Sequence, residues 1–172
     1  MSLTVDQCGM RVIVPGGAVV VSNTYKGDGA TTFAKGDLVR VTTSGQIKDA
    51  ATDSDTAGPC HGMILETWAT APTTSQYVKI LKFAHDTVLK SQLYAGAATD
   101  AEPQDVAIGT SLTLRNAAAG NWSCTVTTTK GIAKVVGKAG DGKWFEENEA
   151  VDTDYGFVYI GFSQANLDGN AS

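Results

Sequence analysis

Short runs of β-branched residues, each ended by a glycine turn, are the feature that most restricts how this chain can fold. Residues 12–14 read Val-Ile-Val, residues 18–21 read Ala-Val-Val-Val, and a Pro-Gly-Gly corner at 15–17 separates them. β-Branched residues favour strands, whereas Pro and Gly mark turns, so this segment predicts two short strands joined by a sharp bend. Leu, Glu, Lys and Arg, which long helices would use, are sparse.

The same alternation of strand and turn continues along the chain. A Lys-Gly-Asp turn at 35–37 leads into a strand in which Val39 and Val41 share one face, and the Ser-Gly pair at 44–45 reverses the chain. Residues 85–93 fit either a strand or a short helix. The sequence therefore predicts an all-β fold of small β-sandwich or barrel units with little helix. Further strands are predicted at residues 60–66, 77–83, 107–114, 123–128, 131–136 and 155–160.

The second half of the chain repeats the plan of the first in pattern rather than in identity. Residues 107–112 correspond to residues 34–39, and the later strand segments follow in the same order. An internal duplication and a chance similarity between small β units are both open. The predicted organisation is an N-terminal arm at 1–14, a first β unit at 15–94, a linker at 95–105, a second β unit at 106–163 and a C-terminal tail at 164–172, with one compact domain as the alternative.

Charge excludes several classes of partner. The formal net charge is −5, and the 13 Lys and Arg residues are scattered singly. Nucleic-acid binding needs a basic face, and anionic membranes attract basic segments, so neither partner is expected. The apolar runs are too short to span a bilayer, and the first ten residues lack a secretory signal, so we expect a soluble protein made in a cytoplasm.

Catalytic and metal-binding patterns are missing from the sequence. Cys8, Cys60 and Cys124 are far apart and have no paired metal-ligand spacing. His61 follows Cys60, but neighbours on a strand point to opposite faces, and His85 beside Asp86 is a turn or strand-edge residue. The acidic clusters lack the glycine and closing glutamate of a calcium loop. We therefore expect no enzyme activity, no metal, no cofactor and no small-molecule substrate.

The tryptophans Trp68, Trp122 and Trp144 all lie in or beside predicted loops. Loop tryptophans can stack on sugars or anchor a protein interface, and they can equally plug the open ends of a small barrel. The first property would suit a carbohydrate- or receptor-binding β module. That module is the alternative function for this chain.

A family resemblance points to a different function. The half that begins with Phe-Ala-Lys-Gly-Asp-Leu-Val at 33–39, and continues with Gly-Gln-Ile at 45–47 and Gly-Met-Ile-Leu at 62–65, resembles the capsid decoration (cement) proteins of tailed bacteriophages. Residues 107–136 are similar in outline. The resemblance covers most of residues 33–160, and the chain departs from the pattern in the long loop at 142–152.

The resemblance implies a structural protein on the exterior of the virion capsid, made in the bacterial host cytoplasm. It would sit as a homotrimer at local three-fold positions and clamp neighbouring subunits of the major capsid protein together. Such a protein needs a flexible end that can add a strand to its neighbour, and the N-terminal arm fits that requirement. The predicted capsid or subunit contacts are Leu3, Val5, Met10, Val12 and Val14.

Overall fold

The computed structural model of the chain describes residues 10–14, 16–21, 24–50, 59–93, 106–116, 122–126, 131–138, 157–163 and 167. The regular elements within these ranges are strands, apart from a helical assignment at Leu167, so the predicted all-β fold is confirmed, and residues 85–93 contain a strand rather than a helix. The strands are β1 (Arg11–Val14), β2 (Val19–Val21), β3 (Leu38–Val41), β4 (Ile47–Asp49), β5 (Gly62–Ile64), β6 (Ile80–Lys82), β7 (Val88–Gln92), β8 (Ser111–Asn116), β9 (Trp122–Val126), β10 (Ala133–Lys138) and β11 (Phe157–Phe162).

The strands form two sheets. One sheet has the order β2-β6-β5-β3-β4, and the other has the order β1-β7-β11-β10-β8-β9. This partition differs from the predicted boundaries, because β7 falls inside the predicted first unit at 15–94 but pairs with β11. The chain crosses from one sheet to the other between β6 and β7. The predicted linker at 95–105 lies outside the described residues.

The two sheets share one plan, repeated along the chain. Strands β2–β6, called unit 1, and strands β7–β11, called unit 2, both have the order first, fifth, fourth, second, third. The amide of Gly36 donates to the carbonyl of Ile64 at 2.9 Å, and the amide of Gly109 donates to that of Val135 at 2.8 Å. Both glycines have positive φ, 96° and 92°, in the turn before the second strand of their unit. The repeat seen in the sequence is therefore a repeat of strand order and hydrogen bonding.

Each unit also closes on itself. An isolated parallel bridge joins Lys26, after β2, to Gln46, before β4, and another joins Leu93, after β7, to Cys124 in β9. Each bridge brings the segment that follows the first strand of its unit beside the third strand, while residues 19–21 of β2 keep β6 as their one described neighbour. The five strands of a unit therefore form a small barrel-like arrangement, as the strand pattern of the sequence predicts.

Two apolar clusters fill the interior. The larger cluster spans both units, since it contains Leu38 and Met63 from unit 1 and Leu89 and Ile160 from unit 2. The two units are therefore packed against each other rather than joined only by the chain. The smaller cluster lies within unit 1 and consists of Phe33, Val39, Ile47, Ile64, Val78 and Ile80, with Val21, Tyr25, Val41 and Trp68 packed against it.

A two-stranded ribbon connects the units. β1 pairs with β7 in one sheet and β2 pairs with β6 in the other, so the turn after β1 and the turn after β6 cross between the sheets side by side. The Gly17 amide donates to Oδ1 of Asp86 at 2.9 Å, which fixes one turn against the other. This hydrogen bond lowers the pKa of Asp86 from its ordinary value.

Gly16 is the position in this ribbon that tolerates a side chain least. Its φ is 55°, and an added Cβ would overlap the Asp86 side chain. We expect Gly16→Ala to lower the free energy of unfolding by about 1–2 kcal/mol, through backbone strain and displacement of Asp86. Urea denaturation measures this. Gly17→Ala is the matched control, because its Cβ would meet Ala84 Cβ at 3.3 Å and Asp86 Oδ1 at 3.7 Å without overlapping either. Equal losses of unfolding free energy from Gly16→Ala and Gly17→Ala would contradict the special role of Gly16.

Candidate functional site

The outer strand of unit 1 is open. β2 ends the five-stranded sheet, and its one neighbour among the described strands is β6, with Val19 opposite Lys82 and Val21 opposite Ile80. A strand with one partner leaves half of its backbone N–H and C=O groups directed away from the sheet. The side of β2 that faces away from β6 is therefore a place where another strand can pair.

The side chains of β2 are exposed as well. Val19 is 60% exposed and Val20 is 59% exposed. Adjacent residues of a strand point to opposite faces, so neither face of the strand is covered at this point. Val21 packs against the smaller cluster. Exposed edges are usually blunted by a charge or a proline, and β2 has neither. We call Val19–Val21 the β2 edge, and it is the candidate site for binding another protein.

The sequence predicted a contact surface in the N-terminal arm at 1–14 instead of at the β2 edge. Met10 is only 7% exposed and belongs to the larger cluster, and Val12 packs against that cluster. The backbone of Val14 pairs with Val88 inside the six-stranded sheet. The prediction of a free arm was therefore wrong for the part from Met10 to Val14, because β1 pairs with β7. Leu3 and Val5 lie outside the described residues.

The predicted tryptophan platform is not assembled either. Trp122 begins β9 rather than lying in a loop, and its side chain is fully buried. Its Nε1 donates to Oδ1 of Asp37 at 2.9 Å, so the indole serves the core and cannot stack on a ligand. Trp68 is partly buried, and within the described ranges its buried Nε1 has no hydrogen-bond partner. Trp144 lies outside the part of the chain that the structure describes.

The partner of Trp122 has two structural roles. One oxygen of the buried Asp37 carboxylate accepts the indole hydrogen bond, and the other, Oδ2, accepts from the Ala34 amide at 2.6 Å. The second contact closes the turn before β3, and the first ties that turn to unit 2. The sequence does not predict the contact between Asp37 and Trp122, because 85 positions separate the two residues.

The histidines and cysteines supply no reactive constellation in the described part of the chain. Nδ1 of His61 accepts a hydrogen bond from the Val41 amide at 3.0 Å, so the ring braces β3. Burial raises the pKa of Cys60 and of Cys124 to about 12, which keeps both free thiols protonated at neutral pH. His85 is exposed in the turn before β7, and Cys8 is not among the described residues.

The described ranges also lack a metal-binding cluster and a membrane-spanning helix. They contain no group of three or more His, Cys, Asp or Glu side chains that could hold a metal ion. They also contain no helix that is long and apolar enough to cross a membrane.

One acidic residue, Asp49, lies in a partly buried position at the end of β4. Burial raises its pKa to about 6, and the negative charges of Asp37 and Asp28 add to the shift, while Arg40 opposes it. The charged form of this carboxyl is therefore disfavoured in the folded protein.

Comparisons with protein families, with curated proteins and with solved structures each found no match to this chain. The geometry of the β2 edge is therefore the basis for assigning a function. The sequence analysis read residues 18–21 as a strand but did not mark them as a contact. A run of three valines has no alternation, so it does not show which side of the strand is covered.

The buried indole hydrogen bond gives a test of the core. We expect Trp122→Phe to lower the free energy of unfolding by about 2–3 kcal/mol more than Trp68→Phe does. Both changes remove part of an indole, but only the first removes a hydrogen bond to a buried carboxylate. Chemical denaturation of both variants measures the difference. Similar losses would show that the Asp37 contact contributes little.

Asp49 gives a prediction with a defined pH window. Its folded pKa of about 6 lies above the ordinary 3.8, so the cost of its charge grows as pH rises from 3.8 to about 6. Asp49→Asn should therefore raise the free energy of unfolding by about 1 kcal/mol at pH 7.5, a value reduced for solvent screening, and by nothing at pH 3.5.

Thermal melts of Asp49→Asn at the two pH values test this prediction. Asp86→Asn is the control, because its expected change in stability has the opposite sign. The pKa of Asp86 is lowered, so this variant should lose stability at pH 7.5, and the loss should shrink as pH falls below 3.8. A gain from Asp49→Asn that is equal at both pH values would contradict the charge explanation.

Proposed function

We propose that this chain is a structural protein that works by binding other protein surfaces. Its proposed role is that of a decoration protein on the outside of a phage head, where a homotrimer holds neighbouring subunits of the major capsid protein together. The observation that carries the proposal is the β2 edge, where Val19 and Val20 are 60% and 59% exposed on a strand with one neighbour among the described strands. The family resemblance of residues 33–160 supplies the specific partner.

The distribution of exposed apolar side chains supports a protein partner. Outside the β2 edge, the large apolar residues that are exposed in the described ranges are Tyr77, Ile108 and Val126, and they lie on three separate segments. Scattered apolar side chains are ordinary on a surface, whereas two adjacent ones on an open edge favour strand pairing. The net charge of −5 supports the same class of partner, because it disfavours nucleic acid.

The structure gives no comparable support to a carbohydrate-binding module. That function would use the tryptophans as a stacking surface, and Trp122 is fully buried and hydrogen-bonded to Asp37. We therefore put forward one function.

Co-sedimentation with undecorated heads of the phage that encodes the chain tests the proposal. Wild-type protein should bind to saturation. Val20→Lys should weaken binding at least about tenfold, because the charge would have to be buried beside the incoming strand. Ile108→Lys is the matched control, because Ile108 is also exposed, at 61%, but lies in the turn before β8. Melting curves of both variants establish that they are folded.

The outcomes separate the parts of the proposal. A wild-type protein that does not bind heads contradicts the cement function. Binding that Val20→Lys leaves intact contradicts the choice of the β2 edge. A solution mass of one chain, measured by light scattering, contradicts the trimer.

A further inference from the structure

The repeat provides an internal comparison for the open edge. The first strand of unit 2, β7, lies between β11 and β1. The first strand of unit 1, β2, has β6 on one side and no described strand on the other. The equivalent strands β2 and β7 therefore differ in whether an additional described strand covers the outer edge.

The equivalent residues can be assigned from the strand register. Ile64 pairs with Ile80 in unit 1, and Val135 pairs with Ile160 in unit 2, at matching places in the hydrogen-bond pattern. The residue opposite Ile80 on the first strand is Val21, and the residue opposite Ile160 is Leu89. One position earlier, Val20 of β2 is therefore equivalent to Val88 of β7.

Burial differs sharply between these equivalent residues. Val88 is 6% exposed, whereas Val20 is 59% exposed. In unit 2, β1 runs antiparallel to β7, with Val14 opposite Val88 and Val12 opposite Leu89. The strand β1 thus shows what an outer edge of this kind accepts, which is an extended β-branched segment in antiparallel orientation.

We propose that the β2 edge is completed by a strand donated by the protein that the chain binds, in the place that β1 takes on β7. The donated strand runs antiparallel to β2, and its residues opposite Val20 and Val21 occupy the positions that Val14 and Val12 hold against β7. The donor residues opposite Val20 and Val21 are uncharged and β-branched, as Val14 and Val12 are, because both faces of β2 present valine side chains. The identity of the donor as a capsid subunit rests on the proposed function, whereas the way it binds does not.

A peptide with the sequence of residues 10–17 is the probe, because in the protein itself this segment supplies β1. Hydrogen exchange of the full chain is measured with and without the peptide. A donated strand hydrogen-bonds the outward amides of β2, so exchange at residues 19–21 should slow at least about tenfold. The same peptide with Val12→Pro should give no protection, because Val12 is a paired position of β1 rather than its bulge and proline removes a backbone donor there.

Two variants of the full chain sharpen the test. Val20→Thr keeps a β-branched side chain and should retain the protection, while Val20→Lys should lose it. Ile108→Lys should behave as wild type. Protection at β7 in place of β2 would mean that the peptide displaces β1, and that result overturns the proposal, as does an absence of protection at β2.

The readouts separate this inference from the proposed function. If heads bind wild-type protein but the peptide leaves β2 unprotected, the donated strand is refuted and the cement function stands. If heads do not bind the protein but the peptide protects β2, the cement function is refuted and the donated strand stands. Protection of β2 that grows with protein concentration in the absence of peptide would identify a second copy as the occupant, which contradicts a donor from another protein.

Discussion

The buried carboxylate of Asp37 is the contact on which the arrangement of the two units depends. It accepts hydrogen bonds from the Ala34 amide and from the indole of Trp122, and so it shapes the turn before β3 while holding β9 of unit 2 against it. The repeat does not reproduce this contact. By the strand register, Thr110 stands where Asp37 stands, and Gly45 stands where Trp122 stands. The hydrogen bond between the two units is therefore asymmetric with respect to the repeat.

Local features of the fold were predictable from the sequence because their causes are local. Val39 and Val41 flank Arg40 in a short strand, so the face that they share could be read directly, and Gly36 and Gly109 marked equivalent turns. The crossing between sheets after β6 could not be read, because only the pairing of β7 with β11 reveals it. The burial of Trp122 could not be read for the same reason, since its partner Asp37 is remote in sequence.

The candidate site was predictable only in part, because exposure is a property of the whole fold. The sequence indicated a strand at β2, but whether its valines face a core or solvent depends on the strand that lies beside it. The opposite error affected Met10 and Val12, which the sequence suggested as free contacts and which the fold uses internally. His61, Cys60 and Cys124 lie in the fold as hydrogen-bonded or buried residues, which the sequence could not show either.

The ribbon that links the units has a consequence for the order in which the chain folds. Val14 pairs with Val88, so β1 leaves the ribosome before its partner exists and waits while all of unit 1 is synthesised. At about 5–20 residues per second, this interval lasts on the order of several seconds. During that time the newly made chain carries two unpaired valine-rich strands, β1 and β2. β6 then pairs with one side of β2 and β7 pairs with β1, while the other side of β2 gains no described strand. Synthesis thus exposes β1 for seconds and leaves the outer side of β2 without a described neighbouring strand.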